Sequence, residues 1–261
     1  MYKRQPSLIA HSWDITSKCL HPIPYDSFTD PEARLRRRSM DLIINPEESK
    51  RLRIRSATIR AIRTTLDDQG FLEVETPMLN TIHGGASARP FKTFINAYGV
   101  DLTLRIAPEL YLKRLVVGDM GPVYELGRDF RNEGADSTHN PEFTVLEAYQ
   151  PFADYTVMRE LTERILKNAA RAVFGEEVLP LRLGDEPKDP RQEAVLTDVS
   201  GPWPVVSVCE ALSQAVGRPI DLDTDFETLM GLARDHEIHV RDDMGPGAVI
   251  EELYGELVEA K

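Results

Sequence analysis

Long apolar runs are missing from these 261 residues: none approaches the roughly 18 that a membrane-crossing helix needs. The N-terminus, MYKRQPSLIA, has no apolar core or cleavage site of a secretory signal. Cysteine is scarce. Cys19 and Cys209 stand far apart, without a neighbouring metal-ligand pattern. That argues against a disulfide-stapled fold or a cysteine zinc site and fits a reducing, cytoplasmic setting. The spacings of a phosphate-binding P-loop, a zinc protease helix and a Ser/His/Asp triad are all lacking. So is any excess of positive charge: the net charge is −12, against a general nucleic-acid binder. What remains is a soluble globular composition, 41% apolar and 28% charged, long enough to bury a sizeable core in one or two domains.

The charge is unevenly spread. Residues 174–261 hold 20 Asp and Glu against 7 Lys and Arg, a balance of −13, which leaves +1 for residues 1–173. Within the latter, a basic stretch carries Arg34, Arg36, Arg37, Arg38, Lys50, Arg51, Arg53, Arg55, Arg60 and Arg63. It reads either as a solvated helix face or as a surface for a polyanion. There is no internal repeat and no low-complexity segment.

Along the chain, residues 6–20 read as a strand with no partner, followed by a Pro-punctuated connector. Asp30 caps a helix with Pro31 at its first position. A second helix spans about 47–68, with Ile59, Ile62 and Leu66 at helical spacing and Gly70 as its stop. Residues 71–77 alternate as a short strand ending in proline, suited to a sheet edge or a dimer contact. A Gly-rich turn at 83–87, a hairpin pairing 90–96 with 101–106, and a helix over 108–117 follow. Asp154 caps a long helix to about Phe174, with Val157, Leu161, Ile165 and Leu166 apolar. Residues 175–204 form an acidic connector, read as a surface excursion. Beyond it come a short strand at 205–208 and helices near 209–216, 226–236 and 248–258.

The segment 124–150, YELGRDFRNEGADSTHNPEFTVLEAYQ, is the richest in chemistry. Its flanks read as strands and its middle as a polar tip, hence a long hairpin. Arg131 offers a planar fork of donors suited to phosphate or carboxylate. Glu133 can accept from an amino group, His139 can reach a terminal phosphate, and Phe143 can stack on a base. A hairpin carrying only surface ion pairs is the competing reading. Glu147 and Tyr149 lie two apart and share a strand face, where they could hold an ammonium or simply rim a sheet. Glu109, in the first turn of its helix, is placed for capping or for a substrate ammonium. The small residues of 84–90, GGASARP, form a plain turn or let backbone approach a ligand closely.

Taken together, these motifs resemble the class II lysine–tRNA ligases. GFLEVETPML resembles the first motif of that class, which forms a dimer interface. FRNEG with HNPEFTVLEAY resembles the second motif in its lysine form, and HGGASARPF and RIAPELYLKRLVVG resemble the same enzymes. The resemblance covers about residues 6–261. It implies an α+β fold, an antiparallel sheet flanked by helices, and not a Rossmann fold. It implies that Arg131 binds the ATP α-phosphate and the lysine carboxylate. Glu133 would face adenine, with Phe143 beneath the base, His139 near the terminal phosphates and Asn140 on the nucleotide side. Gly85 and Glu109 would hold the lysine α-ammonium, and Glu147 and Tyr149 the side-chain ammonium. ATP, Mg2+, L-lysine and tRNA(Lys) are the implied ligands. The implied assembly is a cytoplasmic homodimer with no membrane contact by this chain.

The sequence also departs from that family. The third motif, with its second arginine and the acids that hold magnesium, does not appear before Lys261. Residues 7–14 resemble only the last strand of an anticodon-binding barrel. The expected organisation is a barrel remnant and linker at 1–25, a catalytic core at 26–174, and an acidic connector with a helical insertion at 175–261. The chain is expected to be a fragment, inactive alone in lysine-dependent ATP–pyrophosphate exchange; robust exchange by purified 1–261 would overturn this. Three rivals follow. One is the synthetase half of a fused protein that makes lysyl-phosphatidylglycerol. Another is a paralogue that modifies a protein, against which the barrel remnant argues. The last is a non-catalytic lysine-binding or dimerisation module.

Overall fold

The computed structural model describes residues 9–18, 20–25, 28–136, 139–180, 196–241 and 243–259. They fall into two compact units, within Met1–Ser56 and Ala57–Lys261.

The first unit begins with chain that forms no strand among its described residues 9–18 and 20–25. The expected strand at 6–20 is thus corrected over those residues; 6–8 and Cys19 lie outside the described residues. An unpaired strand has no ladder to hold it, and Ile9, Trp13 and Ile15 stay exposed. Helix α1 (Pro31–Arg36) starts as expected: Asp30 Oδ2 accepts from the Ala33 amide at 2.7 Å, and proline opens the first turn. Helices α2 (Arg38–Ile44) and α3 (Pro46–Asp68) follow.

Much of the basic stretch is used locally. Asp41 is buried and accepts from Arg34 Nε (2.6 Å), Arg38 Nη1 (2.5 Å) and Asn45 Nδ2 (2.7 Å). Glu48 takes Arg34, Arg38 and Arg51 at 3.0, 3.2 and 3.0 Å. Burial pushes the Asp41 carboxyl up, but the bonds from Arg34 and Asn45 and the adjacent arginine charges outweigh it and hold it below its ordinary value.

The second unit is built on two three-stranded sheets. Strands β1 (Leu72–Glu73), β2 (Leu79–Asn80), β3 (Lys92–Ile95) and β4 (Val100–Leu104) lead into α4 (Glu109–Val117). Strands β5 (Val123–Phe130) and β6 (Glu142–Tyr149) follow, then α5 (Tyr155–Phe174). One sheet has the order β1-β5-β6, the other β2-β4-β3. The pairs are antiparallel except β1 with β5, which is parallel. The strand at 71–77 shrinks to two residues: the Val74 amide still donates to the Tyr124 carbonyl, but the Thr76 amide turns to the Glu125 carboxylate instead of continuing the ladder. The α+β class with a largely antiparallel sheet is the one the motifs implied.

The period of two along β5 and β6 divides the hairpin into two faces. Tyr124, Leu126, Leu146 and Ala148 lie on one face. They pack against Leu66 and Ile62 of α3, Phe71, and Met158, Leu161 and Ile165 of α5. The buried stripe of α5 is therefore not the one expected throughout: Leu161 and Ile165 belong to it, whereas Val157 and Leu166 are exposed. Asp154 caps α5 by accepting from the amides of Thr156 and Val157 at 2.9 and 3.1 Å. Asp154→Ala should lower stability by about 1 kcal/mol, read as a drop in urea midpoint at unchanged slope.

The connector flanks close on themselves. Strands β7 (Val178–Pro180) and β8 (Leu196–Asp198) pair antiparallel, so the expected excursion has a hairpin base; residues 181–195 lie outside the described ones. The expected strand at 205–208 does not form. Its β-branched run meets no partner strand among the described residues, and α6 (Val208–Val216) starts there, with Ser207 as its cap. Helices α7 (Phe226–Asp235) and α8 (Pro246–Tyr254), extended by a π turn at Gly255–Glu259, complete a separate core. Leu212, Leu229, Val249 and Leu253 are fully buried in it.

Candidate active site

The second face of the β5–β6 hairpin is polar where the first is apolar. It carries Glu125, Gly127 and Asp129 from β5, with Arg131 one step past the strand end, against Phe143, Val145, Glu147 and Tyr149 from β6. The register sets Glu125 opposite Glu147 and Asp129 opposite Phe143. The Arg131 amide donates to the Pro141 carbonyl at 2.9 Å and prolongs the ladder beyond Phe130. Helix α4 packs on both strands.

One end of this face gathers four of the residues singled out for an ammonium. Tyr149 Oη donates to Glu147 Oε2 at 3.1 Å. Gly85 has φ +88°, and a β-carbon there would stand 2.8 Å from Glu109 Cβ, so the turn lies directly against the start of α4. Glu109 accepts from Lys113 Nζ at 2.5 Å, and that ammonium lies 6.0 Å from the Tyr149 ring centre. Burial pushes the Glu147 carboxyl up, opposed by the Tyr149 bond and reinforced by the charges of Asp129 and Glu109. Burial, with Glu147 next, also pushes the Tyr149 phenol up. The site is acid-rich at this end and suited to a cation.

The other end holds Arg131, whose guanidinium carbon lies 5.1 Å from the Phe143 ring centre. Phe143 thus carries an arginine on its ring in this structure. Glu133 Oε1 accepts from the Arg89 amide at 3.3 Å, and the Asn132 amide donates to the Arg89 carbonyl at 2.7 Å. The hairpin is thereby tied to the end of the Gly-rich turn. His139 and Asn140 lie on the exposed tip, where His139 Nδ1 is 2.9 Å from Asp136 Oδ2. Ser137 lies outside the described residues.

Beneath the face runs a buried charge network that the sequence reading missed. Arg105, just past β4, is fully buried. Its Nε donates to the Arg128 carbonyl (2.9 Å), and Nη1 donates to Glu125 Oε1 (2.5 Å) and Thr76 Oγ1 (3.1 Å). The Thr76 hydroxyl donates to Glu125 Oε2 at 2.6 Å. Asp129 Oδ1 lies 3.0 Å from Arg105 Nε, and burial pushes its carboxyl up against the pull of Arg105 and Arg131. Gly127 makes room for this: a β-carbon there would overlap Arg105 Nη2. The alternation Glu125, Gly127, Asp129, Arg131 was the available signal. It puts three charged groups and one gap on the same face as Glu147.

Residues 30–242 match the model of the tRNA synthetases class II (D, K and N) family. The chain belongs to that family. Among its relatives are proteins named lysylphosphatidylglycerol biosynthesis bifunctional protein LysX. That of Mycobacterium marinum is 50% identical over 257 residues, covering 98% of this chain and 23% of the relative. That of Gordonia bronchialis is 49% identical over 255 residues, 97% of this chain and 22% of the relative. The Mycobacterium sp. strain KMS protein is 52% identical over 257 residues, with 97% and 22% covered. The chain spans less than a quarter of the length of these relatives. No helix among the described residues is long and apolar enough to cross a membrane.

Proposed function

We propose that this segment activates lysine with ATP, as the synthetase part of a protein that makes lysyl-phosphatidylglycerol. The observation that carries the reading is the convergence of Gly85, Glu109, Glu147 and Tyr149 at one end of the β5–β6 face, with Arg131 at the other. The names of the relatives favour the lipid-linked route over a lysine–tRNA ligase serving protein synthesis alone. Lysyl-tRNA is then the intermediate, and phosphatidylglycerol receives the lysyl group.

The chemistry is acyl-adenylate formation. The lysine carboxylate is already ionised and needs no general base. It attacks the ATP α-phosphorus in line, the α–β bridging bond breaks, and pyrophosphate leaves. Arg131 neutralises charge on the reacting phosphate and aligns the carboxylate. Glu133, Phe143, His139 and Asn140 serve the nucleotide, and Glu109 with Gly85 the α-ammonium. Glu147 and Tyr149 select a second ammonium, because an uncharged side chain would leave a half-buried carboxylate without a cation. Among the described residues no three His, Cys, Asp or Glu side chains converge as a metal cradle.

Two measurements on the full-length gene product test the reading. Lysine-dependent ATP–pyrophosphate exchange should be present, and labelled lysine should enter a phospholipid fraction in the presence of tRNA. Exchange without lipid labelling would return the reading to a stand-alone ligase. Glu147→Gln should raise the KM for lysine about tenfold to a hundredfold, the size of one charged hydrogen bond, with a smaller change in kcat. Equal affinity in the variant would remove Glu147 from the lysine site. Because the Glu147 carboxyl titrates above its ordinary value, lysine binding should weaken as pH falls through that raised pKa.

A further inference from the structure

We infer that Asp129 is the positioning residue for Arg131: its buried carboxylate takes the Arg131 Nε–H while the two terminal nitrogens face the anions of the site. This rests on the role proposed for Arg131.

Four observations lead there. Asp129 and Arg131 lie two apart at the end of β5 and so share the polar face. Asp129 is fully buried, yet among the described residues neither of its oxygens receives a hydrogen bond. Arg105 Nε stands 3.0 Å from Asp129 Oδ1 but donates to the Arg128 carbonyl, Nη1 serves Glu125 and Thr76, and Nη2, buried and without an acceptor, is the rival donor for Asp129. Finally, Arg131 Nε is itself buried and without an acceptor. A buried acceptor lacking a donor and a buried donor lacking an acceptor, on one face, are complementary needs.

The consequence is geometric. A guanidinium anchored only by its stem can rotate, and that of Arg131 lies over the Phe143 ring. Fixing Nε fixes the guanidinium plane and leaves the two terminal NH2 groups as a fork. A fork can bridge a carboxylate oxygen and a phosphate oxygen at once, which is the pose in-line attack requires. Asp129 therefore acts through Arg131 and need not touch substrate.

The test is a variant series in the full-length gene product, read by lysine-dependent ATP–pyrophosphate exchange. Asp129→Leu, which removes the acceptor, should lower kcat about tenfold to a hundredfold, with KM for lysine nearly unchanged. Asp129→Asn keeps an acceptor oxygen and should recover most of that loss. In an Arg131→Lys background, which has no Nε–H to anchor, Asp129→Leu should cost nothing more. An equal loss in both backgrounds would overturn the inference and leave Asp129 a structural residue. Arg131→Lys at the wild-type rate would instead overturn the role of Arg131. A structure with a non-hydrolysable lysyl-adenylate analogue tests the same point without variants. Arg131 Nε should lie within hydrogen-bond reach of an Asp129 oxygen; Asp129 bonded by Arg105 Nη2 alone refutes the pairing.

Discussion

Arg131→Lys should lower lysine-dependent ATP–pyrophosphate exchange by about 10²–10³-fold, most of it in kcat. That is the scale set by removing one preorganised donor from a developing charge. Lysine keeps the positive charge, so any loss reports geometry. An ammonium is a point donor on a flexible stem, whereas a guanidinium offers a fixed planar fork. If Arg131 bridges carboxylate and phosphate, the fork is needed most where the two oxygens approach each other. Its absence therefore weakens the transition state more than the ground state. The ring of Phe143 can hold either cation, so the variant should keep its fold and its ATP affinity should fall less than its rate. Steady-state exchange with lysine and ATP varied in turn separates these terms. A variant within threefold of the wild type would show that Arg131 does not engage the reacting groups.

The elements legible in the sequence were those with strong local chemistry. Asp30 and Asp154 announced their helices, and Gly70 (φ +81°) marked the end of the second. The hairpin around Arg131 was legible because its polar tip and apolar flanks differ so sharply. What failed were stretches whose structure depends on a distant partner. Residues 9–18 and the run at 205–207 have strand-like sequence, but no described strand lies beside them. Strands β7 and β8 went unread because each is three residues long and they meet across 181–195. At the site, the individual acids and Arg131 could be picked out by type and spacing. Arg105 could not. It stands just before a helix that drew attention to Glu109, and its partners come from two other segments, Thr76 beyond β1 and Glu125 and Asp129 on β5. Only the fold shows that a lone Arg before a helix is the buried counter-charge of the whole face.

That buried arginine makes the stability of the second unit depend on pH in a way the wild-type contacts conceal. Arg105→Met should destabilise by about 3–5 kcal/mol at neutral pH, the range for breaking a buried pair from one side. Methionine fills much of the volume, so the loss is that of stranding Glu125 and Asp129 without their cation. The sign with pH follows. Burial already pushes the Asp129 carboxyl up while Arg105 pulls it down. Removing Arg105 raises it further, so the folded state holds more protons than the unfolded one across the window between the two pKa values. Stability attributable to Asp129 is then full below its unfolded pKa and lost as pH rises through its folded pKa. The variant should therefore recover part of its deficit between neutral and mildly acidic pH. Urea unfolding at both pH values measures this. A deficit that does not shrink would mean that shape, not charge, dominates at this position. Gly127→Ala offers an independent check from the neighbouring strand. Its β-carbon would overlap Arg105 Nη2 and push the guanidinium off Glu125. It should produce a smaller loss with the same pH trend, and no trend at all once Arg105 is already methionine, because there is then no buried guanidinium left to displace.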